Sequence, residues 1–339
     1  MAAQTDPVIS ILITTYNIAD YVAETIESVL SQQCSYPYEI LIGDDGSTDG
    51  TDRIAEKYCE DNPERIRLFR MPRDPDADYN RVERSSANRL CLLKNARGKY
   101  VSFLDGDDYY LRTDRLQRMA EILEDGKNRD CILCAHNLLM VYPDGHSAPL
   151  SGMKKERKIT FPEYWKLTFL QSNAVLFRNI YREELPQGLL ARIYDDNNIT
   201  CALLRHGKMY YLPECYGAYR QVEGSSWNAI DRVKQAASNF IGYSVERECI
   251  PEYGRISDIR HYPDLKVLYR HRAELSAERL SPFYQTAKAL KLEKSLRVYR
   301  MGRRGGAPLS EIRKRLILAG AGYYMARVMR LCRKAFGIY

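Results

Sequence analysis

The sequence has no apolar run of about 18 residues, the length a spanning helix requires. Its opening stretch, MAAQTDPVIS, lacks a basic region followed by an apolar one. Neither a membrane span nor a secretory leader is therefore expected, and the expected location is the cytoplasm. No GxGxxG and no GxxxxGK[ST] follows the first apolar run, which counts against a dinucleotide-binding dehydrogenase and a P-loop NTPase. The five histidines form no HxH or HExxH pair. Nine cysteines are scattered, and the lone CxxC of Cys131 and Cys134 has no second pair at matching spacing. They read as small buried hydrophobes in a reduced compartment, not as zinc ligands or a disulfide framework.

What is present is an ordinary globular composition: 339 residues, 45% hydrophobic and 28% charged, enough for two or three structural units. The net charge of +7 is uneven. Residues 300–339 hold ten bases against one acid, so the remainder of the chain carries a formal charge of −2. In this tail Ile317, Ala321, Tyr324, Val328, Leu331 and Ala335 recur at helical spacing, with Arg327, Arg330, Arg333 and Lys334 between them. An apolar stripe with basic flanks predicts a helix lying on an anionic membrane surface, or a helix packed on the body with a solvated basic face. No stacking platform of aromatics accompanies the bases, so nucleic acid is not an expected partner.

From the N-terminus, Val8 to Thr14 is a β-branched apolar run too short for a helix. Ile18 to Gln33 then has apolar residues at helical spacing. A second strand, EILIG, ends in Asp44 and Asp45, and a third covers Arg65 to Arg70. A polar segment, Pro72 to Arg84, precedes a helix from Ser85 to Ala96. Alternating strands and helices with polar tips after the strands predict a doubly wound parallel sheet, whose ligands bind at the carboxyl ends of the strands.

The stretch KYVSFLDGDDY, residues 99–109, is the focus of this pattern. A short apolar strand ends in Asp105, Gly106, Asp107 and Asp108. Packed like charges favour either a divalent cation held by hard oxygen ligands or an acidic turn that only ends the strand. Asp108 reads as the start of the next turn. Convergence of Thr15, Tyr16, Asp44, Asp45, Asp105 and Asp107 on one sheet edge would favour the cation.

Together, ITTYN at 13–17, GDDGSTDGT at 43–51, ARGKYVSFLDGDD at 96–108, YDDNNITCALLRHGKMYYLPE at 194–214 and AYR at 218–220 carry a likeness. In this order they resemble family 2 glycosyltransferases. The resemblance covers about the first 225 residues and implies an α/β fold of the GT-A type there: a Rossmann-like, mostly parallel sheet flanked by helices over residues 1–225. Residues 226–339, with few strand runs and many Leu, Ala, Arg, Lys and Glu, read as a helical extension. The resemblance also implies inverting transfer of a sugar from a nucleotide diphosphate sugar, by family habit uridine-linked, to a glycan or lipid-linked acceptor hydroxyl.

Residue by residue, Thr15, Tyr16 and Asn17 match the segment against the nucleoside, and Asp44 and Asp45 the acidic pair on base and ribose. Asp105 and Asp107 match the DxD acids that hold Mn²⁺ or Mg²⁺ on the diphosphate, with Gly106 between them. Arg89 matches a donor-contacting arginine, although Leu90 stands where the family has Asn; Arg84 and Arg81 are rivals. Asp196 matches the general base, with Gly207 at the family's spacing, and Asp195 is left between helix capping and orienting. Arg220, followed by the stretch Glu223–Trp227, is a candidate diphosphate contact or lid, weighed against a plain surface loop. No Arg flanks Trp227, unlike the QxxRW of processive synthases. The readings weighed against this one are a sugar nucleotidyltransferase, which wants a Gly-rich loop after the first strand, and a sugar-nucleotide-binding module without catalysis.

Overall fold

A computed structural model describes residues 6–74, 81–167 and 170–222, with short pieces between 231 and 271. The chain divides into two units, residues 1–161 with 168–222, and residues 162–167 with 223–339.

The first unit begins with β1 (Ile9–Thr15), whose Ile9, Ile11 and Ile13 are fully buried, as a short β-branched run requires. Helix α1 (Ala19–Leu30) buries Val22, Ile26 and Val29 at helical spacing. There follow β2 (Tyr38–Asp44), α2 (Thr51–Asp61), β3 (Ile66–Arg70), α3 (Arg81–Asn95) and β4 (Tyr100–Asp105). These four strands lie in the order β3-β2-β1-β4 and are all parallel. The register aligns Thr15 with Asp44 and Thr14 with Asp105, so the polar strand ends meet at one edge although they are far apart in sequence.

The second half of the sheet is mixed, and the sheet as a whole pairs mostly in parallel, as expected. After β5 (Tyr109–Tyr110) and α4 (Arg115–Glu124) come β6 (Cys131–Val141), β7 (Ser147–Pro149) and β8 (Arg157–Ile159). Then follow α5 (Phe161–Leu167), β9 (Val175–Arg178), α6 (Gly188–Arg192), α7 (Asp196–Leu204) and β10 (Lys208–Arg220). Strand β9 inserts antiparallel between β4 and β6, and β10 runs parallel to β6 and antiparallel to β5 and β8. Strand direction depends on the connections rather than on the apolar runs, so sequence alone did not reveal it.

Ser172–Ala174 form a 3-10 turn, and β9 starts at Val175. Strand β10 is irregular against β6 between Leu212 and Gly217, where Pro213 has no N–H to give.

In the second unit, helix α8 (Tyr262–Arg270) carries Asp264, which accepts from Arg232 at 2.7 Å and Asn239 at 3.1 Å. The segment Glu223–Trp227, the basic tail of residues 300–339 and most of the expected helical extension lie outside the described residues, as does the side chain of Arg81. Among the described residues, no helix is long and apolar enough to cross a membrane.

Candidate active site

The site is built from strand ends. Asn17, just past β1, adopts a positive φ of 49°, a conformation its short amide tolerates. Its Oδ1 accepts from Thr48 N at 2.8 Å and its N–H donates to Ser47 Oγ at 2.9 Å, locking the β1 tip to the β2 tip. Asp44 spends its carboxylate within this loop: Oδ1 accepts from Thr15 and Ser47 hydroxyls, and Oδ2 from the Gly46 and Ser47 N–H groups. Asp44 therefore shapes the loop, and Asp45 is the acid that engages cations. Arg73 reaches Asp45 Oδ2 at 3.2 Å, and Arg84 pairs with Oδ1. The guanidinium of Arg73 also lies 4.1 Å from the centre of the Tyr16 ring, which is 41% exposed. Arg73 was not foreseen; it lies in the polar loop, where no periodicity marks one base above another.

Gly106 packs the acidic turn directly on β1 and α1. Its N–H donates to Thr14 O at 2.9 Å, and an added Cβ would lie 2.4 Å from Ile18 Cδ1 and 2.9 Å from Thr15 Cγ2. Around it stand three carboxylates. Asp105 Oδ1 accepts from the Thr14 hydroxyl at 2.9 Å and from Arg89 Nη2 at 3.0 Å. Asp107 forms no ion pair among the described residues, and burial together with the charge of Asp105 pushes its carboxyl up to about 6. Asp108 is buried rather than a plain turn-starter: Oδ1 accepts from Arg220 N at 2.8 Å and Oδ2 from Asn173 Nδ2 at 2.7 Å. Burial, then repulsion from Asp107 and Asp105, pushes it well up.

Arg220 closes the turn from β10. Its Nη1 donates to Asp107 O at 2.9 Å, its Nη2 pairs with Glu24, and its guanidinium lies 4.8 Å from the Tyr21 and Tyr109 rings.

Asp195 and Asp196 open α7. Asp195 is the N-cap, its Oδ1 accepting from Asn198 N at 2.9 Å, and burial pushes its carboxyl up to about 6. Asp196 Oδ1 accepts from the Ser172 hydroxyl at 2.6 Å and lies 3.6 Å from Arg89 Nη2. Burial raises its pKa, with Arg89 opposing. All of these contacts fall on Oδ1 of this partly exposed carboxylate. Arg89 is itself buried. Burial disfavours its charge, but Asp105, Asp196 and Asp195 outweigh that and raise its pKa. The structure thus makes Arg89 a bridge between two carboxylates.

Asp105 and Asp107 suit a hard divalent cation as a two-carboxylate site that leaves coordination positions for phosphates and water. Charge crowding at Asp107 is the observation that fits one. Among the described residues no group of three His, Cys, Asp or Glu forms a protein-only metal cage. Cys131 and Cys134 lie buried and unbonded in β6, away from this chemistry.

Comparison with known proteins identifies the fold and the family. S. aureus TarS 1-349, solved with UDP-GlcNAc, superposes with a TM-score of 0.58 at 18% identity, covering 98% of this chain and 92% of its own. A Pyrobaculum calidifontis mannosyltransferase solved with GDP-Man and Mn²⁺ gives 0.50 at 15% identity, covering 95% of this chain and 88% of its own. The fold is that of the GT-A glycosyltransferases. The family model described as "Glycosyl transferase family 2" matches residues 10–185, and the chain belongs to that family.

Among curated relatives, the putative teichuronic acid biosynthesis glycosyltransferase TuaG of Bacillus subtilis is 31% identical over 224 residues, 65% of this chain and 81% of TuaG. The Escherichia coli glucosyltransferase WfaP, named for UDP-Glc and GlcNAc-diphosphoundecaprenol, is 38% identical over 105 residues, 31% of this chain and 37% of its own. An uncharacterized Mycobacterium bovis protein is 26% identical over 227 residues; the match covers 65% of this chain and 60% of that relative.

Proposed function

We propose that this chain is an inverting, metal-dependent glycosyltransferase that moves a sugar from a uridine diphosphate sugar to a glycan or lipid-linked acceptor hydroxyl in cell-surface polysaccharide synthesis. The observation that carries the reading is the sharing of one guanidinium nitrogen by Asp105 and Asp196, at 3.0 and 3.6 Å. An acid suited to the diphosphate and an acid suited to the acceptor are held by the same nitrogen. Holding the two together is what a direct displacement needs, with the leaving group on one face and the base on the other.

Tyr16, Asn17 and Asp45, with Arg73 and Arg84, bind and orient the nucleoside. A Mn²⁺ or Mg²⁺ ion held by Asp105 and Asp107 would neutralise charge developing on the leaving diphosphate. Asp196 takes the proton of the attacking hydroxyl on its Oδ2, while Ser172 and Arg89 hold Oδ1. Asp195 caps α7 and fixes where that carboxylate projects. TarS, solved in complex with UDP-GlcNAc, and WfaP, whose name carries UDP-Glc, support a uridine donor, and TuaG and WfaP support a polysaccharide or lipid-diphosphate acceptor. The basic tail of residues 300–339 supports peripheral attachment to the inner face of the cell membrane.

The test is release of UDP from UDP-glucose and UDP-N-acetylglucosamine with Mn²⁺. Asp196→Asn should abolish turnover while UDP binding persists; retained turnover would sink the base assignment. Turnover of neither sugar nucleotide, with or without a lipid-linked acceptor, would favour a binding module without catalysis.

A further inference from the structure

Ser172 and Asn173 are neighbours in the 3-10 turn ahead of β9, both almost fully buried. Their side chains serve two different carboxylates. Ser172 Oγ donates to Asp196 Oδ1 at 2.6 Å, and Asn173 Nδ2 donates to Asp108 Oδ2 at 2.7 Å. Asp108 in turn accepts from Arg220 N, and Arg220 Nη1 donates to Asp107 O. The path from Asn173 therefore ends on the backbone of the acidic turn, while the path from Ser172 ends on the carboxylate that opens α7.

The turn is anchored to the strand that carries Asp105. Arg115, fully buried on α4, donates from Nη2 to Asn173 O at 2.9 Å and to Ser102 Oγ on β4 at 3.0 Å. Ser102 Oγ donates to Val175 O at 2.8 Å, and the other side of Arg115 is held by His136 Nε2 at 2.8 Å. Burying a guanidinium with no carboxylate partner among the described residues is costly; here these contacts satisfy Nε and Nη2, which holds the Arg115 side chain in place. Among the described residues the buried amide oxygen of Asn173 has no hydrogen-bond partner, so the contact of its Nδ2 with Asp108 is what orients this side chain.

We propose that Ser172 and Asn173 are positioning residues, Ser172 setting the general base Asp196 and Asn173 setting the cation-binding turn through Asp108. The turn fixes the separation between the two halves of the chemistry. The inference rests on the reading of Asp196 as base and of Asp105 with Asp107 as the cation site.

The two residues are separable because adjacent truncations should move different quantities. In the full chain, Mn²⁺ affinity would be read from the loss of the free-ion electron paramagnetic resonance signal. The values of kcat and KM would come from UDP release from UDP-glucose and UDP-N-acetylglucosamine. Ser172→Ala should lower kcat about tenfold or more, the scale of a lost hydrogen bond to a charged group, with KM and Mn²⁺ affinity within about twofold. Ser172→Thr, which keeps the hydroxyl, should recover most of the rate. Asn173→Ala should weaken Mn²⁺ about tenfold or more, as loss of an outer support to a metal site does.

Equal effects of both alanine variants on both readouts would reduce the turn to scaffolding and overturn the proposal, as would no effect of either. Failure of the underlying reading looks different. There, Asp196→Asn keeps wild-type turnover, or wild type turns over neither sugar nucleotide, and the Ser172 role falls with the base, whereas the Mn²⁺ measurement still decides Asn173.

Discussion

Arg89 is ion-paired to Asp196 at 3.6 Å through the same nitrogen that holds Asp105 at 3.0 Å. A buried guanidinium thus stands between acids on β4 and α7, which contribute nothing to each other's secondary structure. The bridge ties the geometry of the base to that of the strand end, and it explains how two partly buried carboxylates coexist before any donor arrives.

Removing that charge should be costly. In Arg89→Met, Asp105 and Asp196 lose their common partner while 24% and 22% exposed, so water compensates only in part. The expected loss is about 2 to 3 kcal/mol in urea denaturation of the metal-free protein, below the range for a fully buried pair. Arg89→Lys should recover only part of it, because one ammonium does not offer the planar fork of donors. Wild-type stability in Arg89→Met would show that the bridge carries no weight.

The neighbouring acids of α7 should separate cleanly. Asp195 caps the helix through Asn198 N, so Asp195→Ala should cost about 1 kcal/mol and Asp195→Asn, which still caps, within about 0.5 kcal/mol. Asp195→Asn should retain turnover within about tenfold, whereas Asp196→Asn should lose about 100- to 10,000-fold, the range for a general base. Denaturation midpoints and initial rates on the same preparations check both, and equal rate losses would mean that the two acids share the proton-transfer role.

Much of this arrangement was legible in the sequence, for a definable reason. Strands β1, β2 and β4 are short apolar runs with polar tips, and parallel pairing in register brings such tips together whatever the loop lengths. The strand ends that carry Thr15, Asp44 and Asp105 therefore meet as expected. Arg89 stood out only through the family likeness, and its bridging role depends on where α7 packs, which no local pattern encodes. Asp108 read as a turn residue because burial of a carboxylate needs distant partners, here Asn173 and Arg220 N. Asp44 and Asp45 looked equivalent in sequence. Ser47 and Gly46 satisfy one, while Arg73 and Arg84 engage the other. The antiparallel insertion of β9 within the mostly parallel sheet has no such signature, because apolar runs do not state strand direction.

The far end of the sheet carries a pH-dependent lock. Glu39, 2% exposed at the start of β2, accepts from Ser10 Oγ at 2.7 Å and Arg97 N at 2.8 Å on Oε1, and from Arg97 Nε at 2.9 Å and Arg67 Nη2 at 3.0 Å on Oε2. It joins β1, β2, β3 and the approach to β4. Burial alone would push its carboxyl up, but the Arg97 N–H, the Ser10 hydroxyl and the Arg97 and Arg67 guanidinium groups outweigh burial and hold it below its ordinary value of 4.5. A carboxyl lowered by folding adds stability that is complete above the unfolded-state pKa and fades as pH falls through the folded one. Glu39→Gln should therefore cost about 2 to 4 kcal/mol at pH 7, since the new amide NH₂ faces donors where an acceptor stood. The gap to wild type should narrow below about pH 4, as the native carboxyl itself takes up a proton. Urea denaturation of both proteins across that range is the measurement. A gap that stays constant with pH would mean that Glu39 contributes packing rather than charge.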